Sequence, residues 1–415
     1  MPGGLTLPPL FTTAERDSFA MRSIRERHTR SLVSVIEENS LEEPYRSRLL
    51  ALHREALGAA PLTDPFAREG WDPALFEPRE LADWRRELAP LAGRSWYELP
   101  WYFAEAFFFL ALLFAFGYYE PAGPHRLQDP FAPLKRRELV RPGGGLDTAS
   151  GLAALLPGAA PLPEALHELL LASLWGNRVD LSMQHLAGAY RFSFLRHDER
   201  ELLVDHTAAL AERLQAARRV DFILDNSGPE LACDLLLASW LLLQDPQRRV
   251  VLHAKRSPFY VSDATASDVR AALEALAGSP QAPVRQAGQG LLRQMQERRL
   301  ALREHWFWNG PLFFSEMPAE LRRELGASNL VLIKGDANLR RLAGDRKWPP
   351  TTRMEPLTRY FPAPLAALRT LKSELVLDLE PGQAERLDRE DPEWRTNGRR
   401  GVIRLVDPVV ASGGA

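Results

Sequence analysis

The spacing of apolar and polar positions divides the chain into two kinds of sequence. From Ala14 to about Phe116, apolar residues recur three and four apart and β-branched runs are few, which predicts amphipathic helices. Phe19, Ile24, Leu32, Val35 and Ile36 fall on one such face. Pro44, Pro61, Pro65, Pro73, Pro78, Pro90 and Pro100 punctuate this half, so the helices should be short and joined by turns. Pro121 to Pro163 is rich in Pro, Gly and Ala and reads as a connector with some local structure, holding Asp129, Pro130, Phe131 and Lys135. Helical patterns follow over Glu164–Leu174 and Asp198–Arg218.

After Arg219 the period changes. Short apolar runs at Val220–Leu224, Val250–His253, Leu330–Ile333, Leu375–Leu379 and Val402–Val406 alternate with helical stretches. That alternation predicts an α/β fold, a three-layer αβα sandwich with a mostly parallel sheet and crossover helices. The reading is therefore an α-helical N-terminal domain at 1–140 and an α/β domain at 141–415.

Trp101–Tyr119 is the most membrane-like stretch and nears the roughly 20 residues needed to span a bilayer. Glu105 lies within it, no Lys or Arg flanks it and no second such segment exists, so it is expected to be a central buried helix. Pro100 would start this helix and Gly117 stop it.

Composition narrows the function. Lys and Arg total 52 against 54 Asp and Glu, a net charge of -2, which gives no basic footprint for nucleic acid. The single cysteine, Cys233, excludes an intramolecular disulfide and a Cys-based zinc site. Residues 1–13 lack the pattern of a secretory signal. A cytoplasmic enzyme acting on a small molecule is the expectation, with no nucleic-acid or membrane partner.

The chemistry concentrates at strand ends. Val220–Leu224 runs into Asp225-Asn226-Ser227-Gly228-Pro229-Glu230, where Gly228 suits a tight turn and Pro229 the first helical position. Oxygen-bearing side chains thus sit at the carboxyl end of a strand, where open α/β sheets bind ligands. The crossover to Val250 is short enough for one right-handed parallel unit, after which Asp263 can return on a loop toward Asp225. A third apolar run ends in Lys334-Gly335-Asp336-Ala337-Asn338-Leu339-Arg340. Asp225, Asn226 and Asp263 make a hard oxygen set suited to Mg²⁺, Mn²⁺ or a similar ion. Such an ion with nearby Lys and Arg outlines phosphoester hydrolysis. The competing reading of each Asp and Asn is a local turn or helix cap. Only five lysines occur, and among them Lys372, then Lys334, are the candidates for a phosphate contact.

At these residues the sequence resembles the damage-control phosphatases, whose eukaryotic members have also been described as acidic-residue carboxyl methyltransferases. The resemblance is carried by Glu15-Arg-Asp-Ser-Phe-Ala, Pro100-Trp-Tyr-Phe-Ala-Glu105, Trp175-Gly-Asn177-Arg-Val-Asp180-Leu-Ser182, Asp225-Asn-Ser-Gly-Pro-Glu230, Val261-Ser-Asp263 and Lys334-Gly-Asp-Ala-Asn338. Arg369-Thr370-Leu371-Lys372 is similar to the Arg-Thr-x-Lys signature of the third subgroup, associated with sugar phosphates such as fructose 1-phosphate. The resemblance implies Asp225, Asn226 and Asp263 as catalytic metal ligands for Mn²⁺, Co²⁺, Ni²⁺ or Mg²⁺. It implies Asp336, Asn338 and Arg340 lining a phosphorylated substrate, and Lys372 at its phosphate. Asn177 and Asp180 either position the substrate or shape a helix end. Glu105 is read as a buried carboxylate beside the site, and Glu230 as a supporting acid or a helix-start residue.

Lys372 follows what reads as a helix and precedes Leu375–Leu379, the wrong edge in a purely parallel sheet, which predicts a mixed sheet. An aspartyl-nucleophile phosphatase is disfavoured because Ser227 stands where a second Asp would be wanted. The alternative activity, an S-adenosylmethionine-dependent carboxyl methyltransferase, would want a Gly-x-Gly-x-x-Gly cradle, and Gly228 stands alone.

Overall fold

The computed structural model describes residues 6–156, 162–176 and 201–407. The helical first part contains α1 (Thr29–Glu38), α2 (Tyr45–Leu57), α3 (Pro78–Leu88) and α4 (Trp101–Phe116). Its prolines start elements more than they break them. Pro78 opens α3 beside the Glu77 and Glu80 capping box, and Pro100 precedes α4. Gly117 ends α4 in the left-handed region at φ 88°, as expected of a helix stop.

Every residue of α4 is buried, and it forms the axis of an apolar cluster with Ile24, Leu32, Val35, Leu49 and Trp84. Each such Phe or Leu contributes about 1.5–3 kcal/mol on burial, which explains the all-round apolar helix without a bilayer. Among the described residues, no helix is long and apolar enough to cross a membrane. Phe19 leaves the expected face and packs edge-on to Trp101, because a π-helical turn at Ser23–His28 shifts the phase between it and α1.

The expected connector is more ordered than its Pro and Gly content suggests, holding α5 (Ala132–Val140) and α6 (Gly145–Leu152) before α7 (Leu162–Trp175). The helix expected over Asp198–Arg218 is corrected. Leu202–Asp205 is strand β1, and only Thr207–Ala216 is helical, as α8. Asp205 Oδ1 accepts from Thr207 N at 2.8 Å and so marks the helix start. The strand exists because β7 pairs with it, a contact no local pattern encodes.

The sheet has seven strands: β1, β2 (Arg219–Ile223), β3 (Arg249–Ala254), β4 (Leu300–Glu304), β5 (Leu330–Lys334), β6 (Leu365–Thr370) and β7 (Gly401–Val406). Their order is β1-β7-β6-β5-β2-β3-β4. Strands β2 to β6 are parallel, β7 is antiparallel to β6, and β1 is parallel to β7. The sheet is mixed, as expected, but not for the expected reason. Leu375–Leu379 is a buried loop, and the strand is Leu365–Thr370, so Lys372 leaves β6 at the same edge as the other exits. Neither β6 (LAALRT) nor β4 (LALRE) has the β-branched composition that marks a strand in sequence.

Both faces of the sheet are covered. Val220, Phe222, Leu252, Leu332, Ala366 and Leu368 point into a cluster with α6, α7, α9 (Pro229–Gln244), α10 (Ala266–Ala277) and α11 (Ala282–Gln296). Ile223, Val331, Ile333, Leu365 and Ala367 point the other way, against α12 (Ala319–Gly326), α13 (Asp336–Ala343) and Trp306 to Phe314. The period-2 alternation of parallel strands buried on both sides produces the three layers. The chain adds β3 and β4 on one side of β2 and then β5 and β6 on the other, so the switch point lies between β2 and β5.

Candidate active site

Four strand exits meet at that switch point. Leaving β2, Asp225 O accepts from Ala264 N at 2.7 Å and Ser227 N donates to Ser262 O at 2.7 Å. Asn226 and Asp263 form an isolated antiparallel bridge. The loop after β3 is thereby tied to the turn after β2, and Asp225, Asn226, Ser262 and Asp263 line one cavity of about 560 Å³ including its open mouth. Gly335, leaving β5 at φ +84°, runs so close that a Cβ there would lie 1.9 Å from Asp225 Oδ2. Only glycine permits that approach.

The fourth exit follows β6. Asp336 Oδ1 accepts from Arg369 Nε at 2.7 Å, from Lys372 N at 3.1 Å and from Ser373 Oγ at 3.1 Å. Arg369 also donates to Leu375 O at 2.5 Å. The Arg-Thr-x-Lys segment is thus a buried clasp: its arginine fixes Asp336 and the loop, and its lysine lines the cavity. Opposite the sheet, α4 supplies Glu105, whose Oε1 is 3.0 Å from His28 Nε2 and whose Oε2 pairs with Arg340. Arg340 is held by Asp345 at 2.8 and 2.9 Å and lies 3.4 Å over the Trp101 ring.

Of the expected site residues, Asp225, Asn226, Asp263, Glu105, Asp336, Arg340 and Lys372 line the same cavity. Asn338 does not. It is buried, and its Nδ2 donates to Leu224 O at 3.2 Å and Lys334 O at 2.9 Å, bracing the β2 and β5 exits from behind. Lys334 is likewise no wall residue. It is fully buried, 2.9 Å from Glu230, 3.0 Å from Asp234 and bonded to Ser173 O at 2.5 Å. Burial would lower its pKa, but the two carboxylates outweigh burial and hold it protonated above the ordinary lysine range. Glu230 in turn accepts from Asn226 Nδ2 at 2.9 Å, so it supports the site. Asn177 and Asp180 lie outside the described residues.

Four wall residues carry no sequence signal as site residues: Arg27, His28, Phe109 and Tyr260. Arg25-Glu-Arg-His28 is a charged run inside the helical half, and the π-helical turn it forms has no sequence signal. Lys135, from the expected connector, reaches the site from behind. Its ammonium joins Asp129 at 2.8 Å, Asp268 at 2.9 Å and Asp263 O at 2.8 Å, clamping the Asp263 backbone.

Burial pushes the Asp225 carboxyl well above its usual range, and Glu230 and Asp263 push it further, against Lys255 and Lys372. Lys255 lies 3.2 Å from Asp263 Oδ2. Excess negative potential of this kind suits a cation. Among the described residues no group of three or more His, Cys, Asp and Glu is placed to hold a metal ion. The available protein donors are two carboxylates and an amide oxygen, and Asn226 Oδ1 keeps a second lone pair beyond the one Ser262 uses. Such a sparse all-oxygen set fits a hard divalent ion that completes its shell with water and substrate phosphate.

Fold and cavity define an α/β protein with a charged crevice at its topological switch point, the place where open α/β sheets bind small ligands. Residues 22–387 match the damage-control phosphatase ARMT1-like domain. The damage-control phosphatase ARMT1 of Mus musculus is 30% identical over 97% of this chain and 99% of its own length. The Danio rerio protein of the same name is 32% identical over 76% of this chain and 75% of its own. A crystal structure of a DUF89 family protein from Pyrococcus horikoshii aligns with 92% of this chain and 96% of its own, at 14% identity and a TM-score of 0.46. The chain belongs to the ARMT1-like damage-control phosphatase family and is a phosphatase.

Proposed function

We propose that this phosphatase hydrolyses monoesters of small phosphorylated metabolites, with sugar phosphates such as fructose 1-phosphate as the substrate class. The observation that carries the reading is the convergence of Asp225, Asn226, Asp263, Asp336 and Lys372 on one cavity from four strand exits. Asp225, Asn226 and Asp263 would hold a divalent ion, Mn²⁺, Co²⁺, Ni²⁺ or Mg²⁺. When bound, that ion supplies Lewis-acid contact to a phosphoryl oxygen and an acidified water.

The remaining work falls to the chain itself. Lys372 donates to a phosphoryl oxygen and offsets its charge, at a position fixed by the Asp336–Arg369 clasp. Asp336 spends Oδ1 on that clasp and leaves Oδ2 to accept from a substrate hydroxyl. Glu105 and Arg340 neutralise each other and set a rigid polar wall. Asn177 and Asp180 keep both roles that the resemblance leaves open, positioning the substrate or shaping a helix end.

The chain is best divided near residue 140. The cluster from Ile24 to Leu134 is distinct from those on the two sheet faces, and meets the site loop through Phe259, Tyr260 and Val261. A cytoplasmic location agrees with the lone buried cysteine.

The test is a panel of sugar phosphates assayed with each of the four metals, comparing wild type with Asp225→Ala and Asp263→Ala. Loss of about 10²-fold or more in kcat is expected for both variants. Full activity after exhaustive chelation, or wild-type rates in either variant, would overturn the reading.

A further inference from the structure

The wall facing the sheet holds a cation that the hydrolytic scheme does not use. Ser23–His28 winds as a π-helix between the short helix Phe19–Arg22 and α1. Such turns are rare and recur at functional sites. This one is anchored, since Ser23 Oγ donates to Ala20 O at 2.8 Å and accepts from Trp101 Nε1 at 2.8 Å. Its consequence is that the consecutive residues Arg27 and His28 both line the cavity.

His28 is committed to Glu105 and packs against Phe108 and Phe109. Arg340 is committed to Asp345, Glu105 and the Trp101 face. Arg27 differs from both. Among the described residues its Nε is buried without a hydrogen-bond partner, and no acid stands within ion-pair distance of it. A guanidinium with a donor removed from water and unmatched costs free energy that an anionic ligand would recover. Its planar fork matches a carboxylate or a phosphate.

Its place in the cavity decides which anion. Arg27 acts electrostatically on His28 and Glu105, on the helical wall, whereas the cations that act on Asp225 are Lys255 and Lys372, on the sheet side. We propose that Arg27 is a specificity-determining residue that binds a second anionic group, at the end of the substrate remote from the phosphate being cleaved. Within the sugar-phosphate class, Arg27 then adds affinity for phosphorylated metabolites that bear a carboxylate or a second phosphate, beyond what neutral-ended ones such as fructose 1-phosphate receive. This rests on the hydrolytic reading above, with the scissile phosphate at the sheet edge.

The experiment compares fructose 1,6-bisphosphate and 6-phosphogluconate with fructose 1-phosphate and glucose 6-phosphate, in wild type, Arg27→Gln and Arg27→Lys. The kcat/KM ratio of at least one substrate with a second anionic group to its neutral-ended partner should fall about tenfold in Arg27→Gln, through KM, and recover in part in Arg27→Lys. A fall confined to 6-phosphogluconate assigns a carboxylate, and one confined to the bisphosphate assigns a second phosphate. Equal losses on both members of each pair, or unchanged ratios, overturn the proposal. Calorimetric titration of the full chain with the same four compounds reads the same ratios from Kd without turnover. If no compound is hydrolysed, the hydrolytic reading fails while these Kd ratios still judge Arg27.

Discussion

A Cβ at Gly335 would stand 1.9 Å from Asp225 Oδ2, so a methyl group there must displace the carboxylate that ends β2. We expect Gly335→Ala to fold, with a stability loss of about 1–3 kcal/mol from its positive-φ, extended backbone. Its activity should drop by about 10²-fold, because displacement of about 1 Å is enough for that. Circular dichroism with initial rates checks both parts. The residue types of the site were legible: acids and an amide after a strand, then Lys-Gly-Asp after another. The sequence ranks Lys372 ahead of Lys334 for the phosphate contact but does not show where either side chain points, since both follow apolar runs. What separates them is that Lys334 points back into Glu230 and Asp234 while Lys372 leaves its strand into the cavity.

Lys135 shows how whole elements are joined to that site. It comes from α5, bonds the Asp263 backbone, and balances Asp129 and Asp268 inside the protein. Burial alone would lower its pKa, but the two acids outweigh it and keep the ammonium charged. Lys135→Met would leave two mostly buried acids without their cation, at a cost of about 3–5 kcal/mol. We expect a matching fall in the urea midpoint, and no restoration of that midpoint by saturating metal. Helix α4 was legible as an element from Pro100 to Gly117 because its apolar run and its stops are local. Strands β1, β4 and β6 were not, because their existence depends on partners far away in the chain.

At the scale of the molecule, α3 meets the loop after β3 through Glu80, which is 3.5 Å from Arg256. Burial pushes the Glu80 carboxyl up from 4.5 to about 7, with Arg256 only partly opposing it. The folded state therefore holds a proton that the unfolded chain releases near pH 4.5. Stability from this group is complete below that pH and is lost as pH rises through about 7. The shift corresponds to about 3 kcal/mol at most. Urea midpoints between pH 5 and pH 8 should fall less in Glu80→Gln than in wild type, and parallel curves would count against this assignment.

The sequence by itself determined the helical and α/β parts, the crossover that makes β2 and β3 parallel, and the acids at Asp225 and Asp263, because each is written in local periodicity and turn chemistry. Tertiary structure alone decided the strand order, the closeness of Gly335 to Asp225 and the arrival of Arg27 and His28 at the cavity. Those depend on which strands pair and on one change of helical phase, and neither leaves a trace in residue spacing.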